Sequence, residues 1–171
     1  MRRSVVPAII AAALAVMIST GIRQSFGLFL QPISTAFGTG RETFSFAIAL
    51  SNLIYGLPLI GFLSDRFGPR RVLMGGGLLY AAGLLLLPRL PGAAGLNLTL
   101  GGMVGLALSA TTYVVVLGAV SRLVPADQQG RAFGIIAAAG SSGMFVMPPL
   151  AQFLINQFGW AGALAGLALL T

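Results

Sequence analysis

Long apolar runs separated by short polar segments fill the chain from end to end. A helix needs about 20 apolar residues to cross the ~30 Å hydrocarbon core of a bilayer. That length, applied along the sequence, predicts complete membrane-spanning helices over 5–30, 44–63, 72–90, 96–120 and 132–155. The third reaches full length only if Arg89 snorkels to the headgroups. A sixth helix, 161–171, breaks off at Thr171, short of a full crossing. The chain therefore reads as incomplete. Arg2 and Arg3 ahead of an apolar run also fit a secretory signal peptide. However, the run passes any plausible cleavage point, continues to Leu30 and has four more spans behind it.

Inside the spans glycine is frequent: Gly75, Gly76, Gly77 and Gly83, then Gly101, Gly102 and Gly105, then Gly134, Gly140 and Gly143. Small residues at three- and four-residue spacing let backbones approach closely in lipid, where no hydrophobic force draws helices together. These read as packing positions. Pro58, Pro148 and Pro149 free backbone carbonyls and bend their helices.

Composition agrees with the pattern. The chain is 57% hydrophobic and 8% charged, against about a quarter charged in a soluble domain. Histidine, cysteine and lysine are absent, and the acids are Glu42, Asp65 and Asp127. No catalytic residue, metal site or cofactor is expected from such an inventory. A net charge of +7 in a soluble protein would suggest nucleic acid, but here the arginines punctuate apolar runs, so none is expected. With the N-terminus cytoplasmic, Arg2, Arg3, Arg66, Arg70, Arg71, Arg122 and Arg131 lie inside, and Arg41 and Arg89 outside. Seven against two is a strong positive-inside bias. Trp160 and Phe158 then join an outer aromatic belt. The tenth arginine, Arg23, lies within a span.

Between the second and third spans the chain reads Gly61-Phe62-Leu63-Ser64-Asp65-Arg66-Phe67-Gly68-Pro69-Arg70-Arg71. This resembles the signature loop of the major facilitator superfamily, with Pro69 standing where a basic residue is common. Its physics is readable without the family: Gly68 permits a tight turn, the arginines sit at headgroups, and Asp65 offers them a counter-charge. The resemblance implies that Gly61, Asp65, Arg66, Gly68, Arg70 and Arg71 form a conformational latch between two halves of a transporter. A basic turn that only sets topology is the simpler alternative.

Two further stretches are similar to monocarboxylate-porter-like members, including the oxalate/formate exchangers. They are Arg23-Gln24-Ser25-Phe26-Gly27-Leu28-Phe29-Leu30-Gln31-Pro32-Ile33 and Gly140-Ser141-Ser142-Gly143 with Met147-Pro148-Pro149-Leu150-Ala151-Gln152 and Phe158-Gly159-Trp160. The mid-helix arginine of many drug/proton exchangers is missing from the fourth span, and the antiporter glycine-proline signature is only partly matched. Both departures count against a drug exporter. The implied fold class is all-α: a polytopic transmembrane helix bundle forming the N-terminal six-helix half of a major facilitator fold, its sixth helix truncated.

That fold implies a central cavity lined by the first, second, fourth and fifth helices. Polar residues in these spans follow helical spacing: Ser19, Thr20, Arg23 and Gln24; Ser45, Asn52 and Tyr55; Ser109, Thr112 and Tyr113; Ser141 and Ser142. Serine and threonine in membrane helices usually bond their own backbone or a neighbouring helix. Arg23, Asn52, Tyr113 and Ser141 are the candidate substrate-binding residues. Arg23 lies ~8 Å outward of the midplane, and no acid in the chain is placed to neutralise it. Its counter-charge is either an acid in the missing half or the substrate, and related members assign a basic residue at this place to a substrate carboxylate.

The expected function is secondary active transport of a small, monocarboxylate-like organic anion by alternating access, in the cell inner membrane. The expected partners are the lipid bilayer, the missing C-terminal half and a proton or counter-anion. No acid lies mid-membrane, so symport, antiport and uniport are not distinguished. The alternatives are a non-transporting membrane scaffold, a truncated gene remnant, or a major facilitator transporter of a different small solute.

Overall fold

The computed structural model describes residues 5–56, 59–111 and 113–171, apart from the side chains of 5, 59–61 and 65. Helix α1, Val5–Phe37, is 33 residues long. At 1.5 Å per residue that is about 50 Å, so α1 projects well beyond a bilayer core. It outruns its apolar run because Gln31 to Phe37 contain nothing that stops a helix once Pro32 is accommodated. Gly38 ends it in the left-handed region (φ 61°), and Thr39 N–H donates to the Ser34 carbonyl at 3.1 Å. That pairing is the helix-ending arrangement glycine favours.

The second span consists of α2, Arg41–Gly56, and α3, Leu59–Phe67. Gly68 (φ 84°) turns the chain, and Pro69 opens α4, Pro69–Leu86, where its missing N–H costs nothing. The expected need for glycine at this turn is met by a positive φ that other residues avoid. After a tight turn over Leu87–Arg89, the fourth span is pieced together from α5, Ala93–Leu96, a π-helical stretch, Asn97–Met103, α6, Val104–Ala110, and α7, Tyr113–Ser121. The fifth and sixth spans form α8, Ala126–Ala168, with no loop between them. The reversal takes place at Gly159 alone (φ 69°, ψ 173°), where the sequence pattern suggested a longer break. Beyond it the chain folds back, so that Gly166 lies against Leu154.

Helix α1 packs along α8, α2 packs on the fourth span, and α4 lies between α6 and the end of α8. Glycines set the closest approaches. A Cβ on Gly143 would lie 2.9 Å from Met17 Cα and overlap the Met17 carbonyl. One on Gly21 would fall 2.7 Å from Met147 Cβ. In the other pair, Gly105 faces Ser51 Cα at 3.0 Å and Gly101 faces Leu50, within and just after the π-helical turns.

Two of the three buried clusters among the described residues lie toward opposite ends of the bundle. One gathers Phe26, Phe29, Ile33, Phe44, Leu87 and Leu164 toward the Arg41 and Arg89 end. The other gathers Ile9, Val16, Val120, Val124 and Ala132 toward the end carrying Arg122 and Arg131. Outside them the surface is apolar: Phe46, Leu78 and Val114 are 60%, 72% and 79% exposed. Among the described residues, four helical runs are long and apolar enough to cross a membrane. Water would not tolerate so much continuous apolar surface, and lipid does. The protein is a multi-pass membrane protein.

A contrast between two glycines of α8 tests the packing. Gly143→Ala should lower the melting temperature of the full-length protein in detergent, because the methyl meets backbone that must shift, and overpacking costs about 1–3 kcal/mol. Gly134→Ala, whose Cβ meets nothing within 4 Å, should raise it slightly, since alanine is a better helix former by about 0.8–1 kcal/mol. Equal shifts would show that the α1–α8 contact is looser than described.

Candidate functional site

Most hydroxyls inside the helices are occupied locally. Ser19, Ser25, Thr99 and Thr111 each donate to the carbonyl four residues back, at 2.7–3.1 Å. Such bonds satisfy the hydroxyl without involving a ligand. Ser141 and Ser142 are exposed yet donate in the same way to Ala137 and Ala138 at 3.2 and 2.9 Å.

Arg23 is different. It extends from α1 to α2, where Nη2 donates to Asn52 Oδ1 at 2.6 Å. Its Cζ also lies 4.9 Å from the centre of the Tyr55 ring. Asn52 and Tyr55 are three residues apart on α2, so both present to the same face. Asn52 takes one of the five guanidinium N–H groups, and the ring faces the charge with its negative π-surface. Neither partner carries charge. Among the described residues no carboxylate touches Arg23, which is half-exposed.

Of the four residues nominated from sequence, Arg23 and Asn52 are therefore in direct contact. Tyr113 and Ser141 sit elsewhere. The Tyr113 hydroxyl fits against Gly140 of α8, beside Val16 of α1. Val16 precedes Arg23 by seven residues, which puts this second station roughly 10 Å along the bundle toward the arginine-rich end. Ser141 adjoins it in sequence. Tyr55 was legible as a member of the α2 stripe, but nothing in the spacing marked it as the ring beneath the guanidinium. On α8, Gln152 Nε2 donates to Asn156 Oδ1 at 2.9 Å, a polar pair that four-residue spacing could have revealed.

In the loop residues, Arg66 is exposed with Cζ 5.7 Å from the Phe67 ring centre, and Arg70 and Arg71 begin α4. The surroundings of Gly61 and the Asp65 side chain lie outside the described residues.

Comparison with known proteins bears on the family rather than on these contacts. Residues 12–171 match the model of the Major Facilitator Superfamily. Monocarboxylate transporter 13 of Rattus norvegicus is 32% identical over 146 residues, 84% of this chain and 34% of that protein. Monocarboxylate transporter 3 of Mus musculus is 32% identical over 83% of this chain and 29% of its own length. An uncharacterized MFS-type transporter, YcxA, of Bacillus subtilis (strain 168) is 26% identical over 81% and 34%. The chain thus spans about a third of the length of these curated relatives. Family and relatives point to membrane transport rather than to enzymatic chemistry. A helical, multi-pass chain whose family match runs from residue 12 to its last residue belongs to the major facilitator superfamily.

Proposed function

We propose that the full-length protein is a secondary active transporter of a small, monocarboxylate-like organic anion, working by alternating access in the cell inner membrane. The observation that carries the reading is the guanidinium of Arg23, held by Asn52 and Tyr55 and touched by no carboxylate among the described residues. Placing an arginine deep in a membrane helix costs about 2.5–3.5 kcal/mol on insertion scales, and such residues mark substrate or ion paths. A carboxylate is the partner that a planar fork accepts with two parallel hydrogen bonds. The names of the mammalian relatives support the same substrate class. Asn52 and Tyr55 hold the fork in place. Tyr113 and Ser141 contact the solute as it moves deeper between two rocking halves. A proton or counter-anion drives the cycle.

Arg23→Gln should reduce uptake of lactate, pyruvate and oxalate roughly 10- to 100-fold, the scale of a lost charge-assisted hydrogen bond. Arg23→Lys should retain part of the uptake with altered preference among mono- and dicarboxylates, because an ammonium cannot fork. Wild-type KM for all three anions in the Gln variant would refute the assignment.

The 61–71 loop acts as a latch on the cytoplasmic side, with Asp65 countering Arg66, Arg70 and Arg71. Asp65→Asn should slow uptake severalfold while expression and insertion stay near wild type, since an exposed ion pair contributes only about 0–1 kcal/mol. Poor insertion with normal uptake per molecule would point to a topology signal alone.

Orientation is tested with cysteines at exposed positions of this cysteine-free segment, Gly130→Cys at the arginine-rich end and Ala94→Cys at the other. An impermeant thiol reagent on intact cells should label position 94 and spare 130. The reverse pattern would invert the topology.

A further inference from the structure

A groove of about 760 Å³ opens between α1 and α8, on the side of Arg23 away from Tyr113. Gly27 lines its inner edge, one helical turn from Arg23, and Thr35 lies two turns further along α1. Its polar lining is Gln31, Thr35, Arg41 and Gln152. The Thr35 hydroxyl already donates to the Gln31 carbonyl at 2.9 Å, and one Gln152 N–H is given to Asn156. Arg41, Gln31 and Gln152 bring N–H donors to its wall. Glu42, next to Arg41, is absent from the lining, and its carboxylate folds back onto Gly40. The groove therefore carries one positive charge, several amide donors and no acid among its lining residues.

We infer that this groove is a second anion site, an entry station that collects a small carboxylate and passes it along α1 to Arg23. The inference rests on reading Arg23 as the inner anion site. A single arginine with amide neighbours concentrates substrate rather than holding it. A positive charge in a concave wall does this by raising the local anion concentration, and salt weakens the effect. Arg41 then governs KM at low substrate and leaves the maximal rate to the inner site.

The test uses the full-length protein with any other cysteines replaced and a single cysteine at Thr35, a residue whose hydroxyl proton is already committed within α1. Rates of labelling by an anionic methanethiosulfonate (sulfonatoethyl) and a cationic one (trimethylammonium-ethyl) are compared with their rates on a free thiol in solution. The anionic reagent should be favoured by about 3- to 10-fold, less at high salt. Lactate, pyruvate or oxalate should slow the labelling with Arg23 intact and equally with Arg23→Gln. Arg41→Gln should abolish both the preference and the protection, and raise KM for uptake about 3- to 10-fold with the maximal rate unchanged. Protection absent in both backgrounds, or surviving Arg41→Gln, overturns the entry station. Protection seen only with Arg23 intact also overturns it while leaving the Arg23 site standing. Protection that persists while Arg23→Gln transports normally supports the groove and removes the inner site instead.

Discussion

The architecture depends on how closely α1 and α8 can approach. In lipid, helices gain nothing from burying apolar side chains against each other rather than against acyl chains, so association rests on van der Waals contact and hydrogen bonds. Gly21 and Gly143 answer that constraint by removing side chains where the two backbones meet. Gly140 extends the contact, giving up its side chain to the Tyr113 hydroxyl. With that seam fixed, one face of α1 turns into the bundle through Val16, Ile22, Phe26 and Phe29. Gln24, Gly27, Gln31 and Thr35 remain outside. The polar face thus follows from the glycine seam.

On that face a single charge is stabilised by neutral groups. An acid beside Arg23 would have neutralised it and left no electrostatic reason to bind an anion. An apolar surrounding would have made its insertion prohibitive. Asn52 and Tyr55 occupy the middle ground, supplying one hydrogen bond and one aromatic face while leaving most of the donors uncommitted. Both come from α2, whose position is set by its own close contact with Gly101 and Gly105 of the fourth span. Two independent glycine contacts therefore bring the arginine and its supports to the same place.

The all-helical, multi-pass character was legible because span length is a physical requirement of a bilayer, written residue by residue. The tight turn at Gly68 was legible for a similar reason, since few residues accept its φ. The π-helical stretch over Asn97–Met103 was not, because its glycines read equally well as ordinary packing positions. Nor was the single-residue reversal at Gly159: Phe158 and Trp160 read as part of an outer aromatic belt, and spacing did not say that Trp160 packs edge-on to Phe37, 5.5 Å between centroids, at the end of α1. Stripes on one helix could be counted, but spacing within helices does not say which stripes face each other. Arg23 and Asn52 meet, and Tyr113 stands apart, for reasons that belong to packing between helices.

Along α1, Thr35, Gln31, Gly27, Arg23 and the region of Val16 descend in order past the groove, the guanidinium and the tyrosine of the second station. Each step is about one helical turn or two, the spacing over which the proposed handover of an anion would take place. Gly27 lies between groove and arginine, and a Cβ there would meet no neighbour within 4 Å. Ser19, Ser25 and Thr35 of α1 turn their hydroxyls back onto their own helix carbonyls. What remains unspent on the face is concentrated at Arg41, the flanking amides and Arg23, so attraction is strongest where a handover is needed and weak between.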